Sequence, residues 1–393
     1  MRPQAWSFVL FFAVALTLVG AVHYYIWARL VRDLALPTWT HRGLTALVML
    51  LFASIPLTFW FGRRLNLDAM RPLWLTTFGW LGMVFLLLVL LGTSEIMRAL
   101  WGLWSRLASD LPPGDPERRV ALSRMLGAVV GLGAGGLGAV ATHQGLTRLI
   151  VKRIAVGLPR FPSALNGFSI VQLTDIHVGP TIRREFIERV VQRTNALQPD
   201  LIAITGDLVD GSVEQLREHI APLARLRAKH GVYFVTGNHE YYSGAERWCE
   251  ELRSMGIVVL SNSHVRVGDG AAAFVLAGVD DYSSGRFGEG PSLARALAGR
   301  DPSLEVVLLA HQPRAAFEAS DAGVGLQLSG HTHGGQIWPW SVFVKLQQPV
   351  VSGLERIGRT LVYVSNGTGY WGPPMRLGAP AEITRVELSQ SST

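Results

Sequence analysis

The sequence has little cysteine and little charge. Cys249 is the single cysteine among 393 residues, which excludes any intrachain disulfide. Charged residues make up 17% of the chain and hydrophobic residues 49%, a balance too apolar for an ordinary soluble protein. The net charge of +7 does not indicate nucleic acid, because the basic residues gather beside apolar segments, where anionic lipid headgroups account for them.

Four segments without a formal charge are long enough to cross a bilayer, which requires about twenty residues for roughly 30 Å of hydrocarbon. The first is too long for a signal peptide, and it ends in aromatic and basic residues where a cleavage site would need small ones. We therefore predict an all-α membrane domain over 1–145, with transmembrane helices at 6–28, 43–62, 73–94 and 125–142.

The fourth segment contains a pattern that imitates a dinucleotide site. Gly133, Gly135 and Gly138 spell G-x-G-x-x-G, but no strand precedes them and no acidic residue follows at the required distance. Small residues also recur four apart, at Gly127, Gly131, Gly135 and Ala139. This spacing favours a face on which another membrane helix packs closely.

The distribution of Arg and Lys is equal for the two possible orientations. Arg118, Arg119 and Arg124 crowd just before the fourth segment. We expect this loop to be cytoplasmic, which would place the chain from residue 148 onward outside the cytoplasm.

From about residue 146 short apolar strands alternate with segments of helical period. Helices are predicted at 181–197, 213–229 and 244–255. This alternation predicts a second domain over 146–393, an α/β sandwich built around a sheet.

Five of the predicted strands end in polar side chains that could bind a metal. In α/β sheets ligands bind at the carboxyl ends of strands, so residues far apart in sequence can converge there. Two carboxylates, one carboxamide and four imidazoles form a set that suits manganese, iron or zinc. Seven ligands are too many for one ion and suit two divalent metal ions. The seven are Asp175, His177, Asp207, Asn238, His311, His331 and His333.

The same residues carry a resemblance to a known family. The ordered motifs DIH (175–177), GDLVDG (206–211), GNHE (237–240), LLAHQP with His311, and GHTH (330–333) resemble the signature of the calcineurin-like metallophosphoesterases. The chain is especially similar to the membrane-anchored bacterial branch, which includes phosphodiesterases of the UDP-2,3-diacylglucosamine hydrolase type. The resemblance implies a four-layer α/β/β/α sandwich.

The resemblance also implies roles for these residues. Asp175, His177 and His333 would bind one ion, Asn238, His311 and His331 the other, and Asp207 would bridge them. His239 would be the general acid, and Glu240 could orient it or modulate its charge. Asp210 is expected to be a loop residue, and Arg376 is a candidate contact for the substrate phosphate.

The implied reaction is hydrolysis of a phosphodiester or pyrophosphate bond by a hydroxide that bridges the two ions, with a phosphorylated, lipid-linked substrate. The tryptophans and prolines around the last motifs are expected either in the core or on an apolar rim that contacts lipid. Two alternatives stay open. One is a phosphomonoesterase with the same site, and the other is a membrane sensor or scaffold that binds metal or phosphorylated ligand without turnover.

Overall fold

The computed structural model describes residues 3–62, 67–107 and 116–391. The chain divides into two compact units, Met1–Thr142 and His143–Thr393. Long apolar helices make up the first unit, and two β-sheets with flanking helices make up the second.

Four helices are long and apolar enough to cross a membrane, which confirms the four predicted apolar helices. A π-helical turn, Ala28–Arg32, continues the first of them. The helices are α1 (Pro3–Trp27), α2 (Thr38–Phe61), α3 (Leu67–Leu107) and α4 (Pro116–Thr147).

Helix α3 is much longer than the segment predicted at 73–94. It runs for 41 residues and continues through Glu95 and Arg98. Glu95 lies 3.7 Å from Arg98 on the same helix and 3.1 Å from Arg29 of the π-helical turn. The uncharged segment 73–94 therefore corresponds to the apolar part of α3, and the helix continues beyond it. Charged residues that form ion pairs are compatible with a continuing helix.

The glycines of α4 lie inside a continuous helix, so the apparent dinucleotide motif forms no strand-to-helix turn. The predicted packing face is wrong in detail. Gly131 and Gly135 have no neighbouring atom within 4 Å in the described part of the chain, whereas side chains at Gly127 and Gly138 would collide with Leu34 and Met83. Of the predicted face, Gly127 thus makes a close approach, and so does Gly138, which lies outside that face.

The second unit contains two mixed six-stranded sheets. The first has the order β1-β12-β2-β3-β4-β5, and the second β10-β11-β9-β8-β7-β6. The strands are β1 (Leu149–Leu158), β2 (Phe168–Leu173), β3 (Leu201–Thr205), β4 (Val232–Val235), β5 (Val258–Val259), β6 (Ser263–Asp269), β7 (Ala272–Gly278), β8 (Val306–Leu309), β9 (Leu326–Ser329), β10 (Gly353–Ile357), β11 (Thr360–Val364) and β12 (Ala381–Gln390).

The two sheets pack face to face. Leu201 and Ala203 of the first sheet share a buried core with Leu309 and Leu328 of the second. Helices cover the outer faces, and the predicted α/β sandwich is confirmed. The helices are α5 (Arg184–Ala196), α6 (Val213–Ile220), α7 (Asn238–Ser243), α8 (Ala245–Ser254), α9 (Leu293–Ala296), α10 (Ala316–Asp321) and α11 (Ser341–Val344).

Helix α6 is shorter than the predicted segment 213–229. It ends at Ile220 and is followed by a 3-10 turn, Ala221–Arg225, that contains Pro222. Proline lacks the backbone N–H that would bond to the preceding turn, so the α-helix does not continue through it.

Parallel pairing brings the carboxyl ends of several strands to one edge of the sandwich. Strands β2, β3 and β4 run parallel in the first sheet, and β7, β8, β9 and β11 in the second. The loops after these strands carry all of the predicted ligands.

Candidate metal centre

The structure brings six of the seven predicted ligands together in two clusters, with residues from the loops of both sheets. One cluster contains Asp175, His177 and His333, whose candidate ligand atoms all lie within 4.8 Å of one another. His177 Nε2 is 3.1 Å from His333 Nε2, and His333 Nε2 is 3.4 Å from Asp175 Oδ1.

A second cluster contains Asp207, His311 and His331. His311 Nε2 is 3.1 Å from Asp207 Oδ2 and 3.2 Å from His331 Nδ1. Asp207 Oδ2 is also 3.8 Å from His177 Nε2 of the first cluster. The Asp207 carboxylate therefore lies between the clusters, and His331 and His333 belong to different ones.

The backbone at the ligand residues is unusual. Five of them have positive φ angles, namely Asp175 (51°), His177 (54°), Asp207 (51°), His331 (72°) and His333 (52°). Each such residue costs on the order of 1–3 kcal/mol and persists only where the surrounding structure enforces it. The tight turns point the side chains of successive loops inward.

In two of the histidines a hydrogen bond at Nδ1 leaves the Nε2 lone pair directed into the centre. His311 Nδ1 is 2.8 Å from the carbonyl oxygen of Thr205, so this nitrogen carries the proton and Nε2 faces Asp207. His177 Nδ1 is 3.1 Å from Asp210 Oδ1, so its Nε2 likewise faces His333. Nitrogen lone pairs and a carboxylate that converge in this way require a proton or a cation between them.

The pKa shifts agree with a site for cations. Burial lowers the pKa of His333 well below its usual value, and burial together with His311 lowers that of His331 to about 4, so both rings are neutral and free to coordinate. Burial would also lower the pKa of His311, but the Asp207 carboxylate raises it well above the usual value. Asp207 thus needs a positive partner, which a bound cation supplies as well as a proton does.

Asn238, the seventh predicted ligand, directly precedes His239 at the start of α7. Its Oδ1 atom is buried and has no hydrogen-bond partner within the described residues. Buried polar atoms nearly always have a partner, and an amide oxygen at the mouth of strand β4 is a suitable metal ligand. The residues present therefore fit a divalent cation.

His239 lies beside the ligands with its imidazole held by Asp210. Its Nδ1 is 2.6 Å from Asp210 Oδ1, and its Nε2 is 3.9 Å from Asp207 Oδ2. Burial would lower the pKa of His239, but the hydrogen bond to Asp210 and the charges of Asp207 and Asp210 raise it to about 9. The imidazole is therefore protonated near neutral pH and able to give up a proton.

Asp210 forms hydrogen bonds with two histidines of the site, a role that was not predicted from the sequence. One oxygen of its carboxylate contacts both His239 and His177, although the residue was expected to belong only to the loop. Its pKa falls to about 2 because the two imidazoles outweigh the effect of burial. The available signal was its position in GDLVDG, three residues after Asp207.

Of the two roles predicted for Glu240, its charge does act on His239, where it adds to the effect of Asp210 and Asp207 in raising the pKa, but its hydrogen bonds go to backbone groups. Its buried carboxylate accepts hydrogen bonds from four backbone N–H groups, which belong to Gly237 (2.6 Å), Asp207 (3.0 Å), Leu208 (2.8 Å) and Val209 (3.3 Å). Glu240 therefore fastens the loop after β4 to the loop after β3 and fixes the backbone of Asp207.

Arg376 occupies a different place from the one predicted for a phosphate contact. It is completely buried, and its guanidinium donates to the carbonyl oxygens of His333 (3.1 Å), Asn366 (2.6 Å), Ala379 (3.1 Å) and Gly369 (3.0 Å). It lies beneath His333, whose Nδ1 is 3.3 Å away. Its contacts are those of a support for the ligand loop.

The aromatic residues around the last motifs divide between the two predicted environments. Tyr370 is buried, whereas Trp338, Trp340 and Trp371 have 62%, 50% and 54% of their surface exposed. The ring of Trp371 meets that of His239 edge to face, at 5.6 Å between centroids. An exposed aromatic side chain, Trp371, therefore borders the metal centre.

Comparison with known proteins identifies the same region. A family model described as calcineurin-like phosphoesterase matches residues 168–335. A Danio rerio protein named "Transmembrane protein with metallophosphoesterase domain" is 36% identical over 97% of this chain and 89% of its own length, so the similarity includes the N-terminal helices.

Two further relatives match over shorter ranges. A Bos taurus protein of the same name is 44% identical over 61% of this chain and 56% of its own length. An "Uncharacterized metallophosphoesterase" of Helicobacter pylori is 38% identical over 63% of this chain and 65% of its own length. The similarity thus extends to vertebrates as well as bacteria, and the chain belongs to the calcineurin-like metallophosphoesterases.

Proposed function

We propose that this chain is a membrane-anchored hydrolase of phosphodiester or pyrophosphate bonds that uses two divalent metal ions. The observation that carries the proposal is the pair of ligand clusters with the Asp207 carboxylate between them and His239, held by Asp210, beside them. A single structural ion would not need a second cluster or an adjacent proton donor.

The ligands divide between the ions as follows. Asp175, His177 and His333 would hold one ion, Asn238, His311 and His331 would hold the other, and the Asp207 carboxylate would be shared between them. The mixed oxygen and nitrogen donors suit manganese, iron or zinc. When bound, such ions supply Lewis acidity toward phosphoryl oxygens and lower the pKa of water.

His239 is the general acid of the proposed reaction. An oxygen of water forms a bond to phosphorus and releases a proton to solvent, while the bond from phosphorus to the leaving oxygen breaks and that oxygen takes the proton from His239 Nε2. Asp210 keeps the imidazole in the tautomer and orientation that present this nitrogen to the centre. Glu240 and Arg376 act through the backbone of the ligand loops.

A lipid-linked substrate is the second part of the proposal. Trp371 is exposed and its ring contacts that of His239, so an apolar part of the substrate has a surface to lie on beside the centre. The resemblance to the UDP-2,3-diacylglucosamine hydrolases favours a substrate of this chemical class.

The test compares three substrates on purified full-length protein supplied with Mn²⁺. We expect hydrolysis of bis-p-nitrophenyl phosphate and of a nucleotide-diphosphate lipid, with p-nitrophenyl phosphate a poorer substrate. A His239→Asn variant, which retains the metal ligands, provides the matched control. Preference for the monoester would contradict the diesterase proposal, and metal-loaded protein that hydrolysed none of the three would contradict catalysis altogether.

The membrane arrangement is a separate proposal. We propose that residues 1–145 form a multi-pass membrane domain and that residues 146–393 lie outside the cytoplasm, because Arg118, Arg119 and Arg124 lie in the first turns of α4, ahead of its apolar part. A C-terminal alkaline phosphatase fusion expressed in bacteria should then be active, while a fluorescent protein fused at the same position should be dark. The reverse pattern would refute the orientation.

A further inference from the structure

An exposed apolar surface lies between the metal centre and the point where the chain leaves its fourth apolar helix. Leu346 is 82% exposed, Trp338 62% and Val342 59%. These exposed apolar side chains lie close together in one short segment of the chain. Contiguous apolar exposure of this kind marks a binding surface, whereas single exposed residues do not. We call it the tryptophan surface, and it consists of Trp338, Trp340, Val342, Phe343, Leu346 and Trp371.

Hydrogen bonds hold the two segments of this surface together. The amide of Gln336 donates to the carbonyl oxygen of Trp371 (2.9 Å) and accepts from its backbone N–H (2.9 Å). The backbone N–H of Trp338 donates to the carbonyl oxygen of Leu377 (2.9 Å). The apolar side chains are thus presented by a fixed scaffold.

The last turn of helix α4 packs against the same scaffold. Gly145 is buried, and a Cβ atom there would lie 2.6 Å from the carbonyl oxygen of Pro374 and 2.9 Å from the nitrogen of Met375. This contact lies within the second unit, which begins at His143. The loop that carries Trp371 is therefore next to the end of an apolar helix long enough to cross a membrane.

The composition of the surface is that of a membrane interface. Tryptophan concentrates at the level of the lipid headgroups, and lysine close by is attracted to anionic lipid. Lys345 is the single charged residue in the segment 337–346. These features favour the bilayer over an aqueous protein partner as the occupant.

We propose that the tryptophan surface lies in the headgroup region of the bilayer and gives the catalytic unit a contact with lipid in addition to the transmembrane helices. Because Trp371 reaches from this surface to His239, the open side of the metal centre then lies at headgroup level. The inference goes beyond the proposed hydrolysis and does not depend on turnover.

The test measures the lipid contact of single residues in the full-length protein. In a Cys249→Ser background, Leu346→Cys is labelled with an environment-sensitive dye, and the protein is reconstituted into vesicles of phosphatidylcholine and phosphatidylglycerol. Cys249 is replaced so that the introduced cysteine is the single labelling site. Burial raises the pKa of the Cys249 thiol to about 12, so this thiol reacts weakly with the dye in any case. Lipids with a nitroxide near the headgroup serve as quenchers.

Val258→Cys is the matched control. Val258 is an exposed apolar residue, and it pairs with Tyr233 near the start of β4, at the end of the sheet opposite the metal centre. We expect nitroxide lipid to quench the dye at 346 at least about twofold and the dye at 258 hardly at all. Dissolved iodide should show the reverse preference.

A dye at 346 that is quenched by iodide and not by nitroxide lipid would overturn the inference, as would equal quenching at the two positions. Hydrolysis of bis-p-nitrophenyl phosphate is measured on the same vesicles. Loss of lipid contact with hydrolysis intact would refute the docking surface alone, whereas quenching without hydrolysis would refute the proposed activity alone.

Discussion

The ligand loops after the strands of the first sheet are held by a buried acidic side chain, Glu240, and those after the strands of the second sheet by a buried basic side chain, Arg376. Glu240 gathers four backbone N–H groups from the loops after β3 and β4. Arg376 gathers carbonyl oxygens of the loops after β9 and β11. Both side chains are completely buried, so each replaces water as the partner of several backbone groups.

The difference follows from what each set of loops carries. The first sheet supplies both carboxylate ligands, and its loops turn their N–H groups toward a third carboxylate. Burial and the charge of Asp207 raise the pKa of Glu240 to about 7. The second sheet supplies imidazoles, and burial lowers the pKa of Arg376 to about 10 beneath one of them. The two sets of ligand loops thus have separate supports, Glu240 at Asp207 and the loop of Asn238, and Arg376 at His333, so loss of either should weaken different ligands first.

Removing the carboxylate that touches both clusters should have the largest effect. Asp207→Asn takes away the charge beside His311 and His177, so we expect a loss of both ions and a fall in hydrolysis of about a thousandfold or more. Elemental analysis and kinetics on bis-p-nitrophenyl phosphate check this. Full metal content in the variant would show that Asp207 does not bridge.

Glu240→Gln tests the support of the first sheet. The amide keeps the size of the side chain but presents N–H groups to buried backbone N–H groups, so unfolding should become easier by about 3 kcal/mol. We expect the ion proposed at Asn238, His311 and His331 to be lost first. Thermal unfolding and metal content together decide the question, and a stable variant that retained both ions would contradict the assigned role.

Asp210→Asn tests the positioning of His239 with the ligands in place. We expect kcat to fall by about 10–100-fold, since the imidazolium loses its anionic partner. The loss should be larger for an alkyl leaving group than for p-nitrophenolate, which leaves without a proton. An equal loss for both leaving groups would indicate that Asp210 acts through His177 instead.

Arg376→Lys tests the support of the second sheet and should have the smallest effect. Lysine keeps the charge but cannot reach the same carbonyl oxygens as a planar guanidinium. We expect roughly tenfold weaker binding of the ion proposed at Asp175, His177 and His333, with the other ion unaffected. Competition with a chelator measures both affinities, and equal weakening at the two sites would remove the distinction between the supports.

Much of the fold could be predicted because periodicity is a local property. The apolar helices and the alternation of strand and helix follow from short windows of sequence, and the polar residues at strand ends follow from the rule that parallel strands end at one edge. The end of α3 could not be placed, because Glu95 forms ion pairs that only the fold reveals.

The supporting residues were harder to predict than the ligands. Glu240 and Arg376 act on backbone groups of loops distant in sequence, and no spacing pattern marks such contacts. The positive φ angles of Asp175, Asp207 and His331 were equally hidden, since these residue types carry no requirement for that conformation. The chemistry of the side chains is enough to select the candidate ligands from the sequence, whereas their positions depend on tertiary structure.

Strand β1 pairs with β12 along its whole length, from Leu149 opposite Ala381 to Leu158 opposite Gln390. The strand that directly follows the fourth helix is thus completed by the last strand of the chain, and it has no other strand partner in the described residues. Of the twelve strands, β1 is synthesised first and its partner β12 is synthesised last. The edge of the first sheet that follows the apolar helices is therefore the last part of that sheet to be completed, and a chain truncated before β12 would leave β1 without a strand partner.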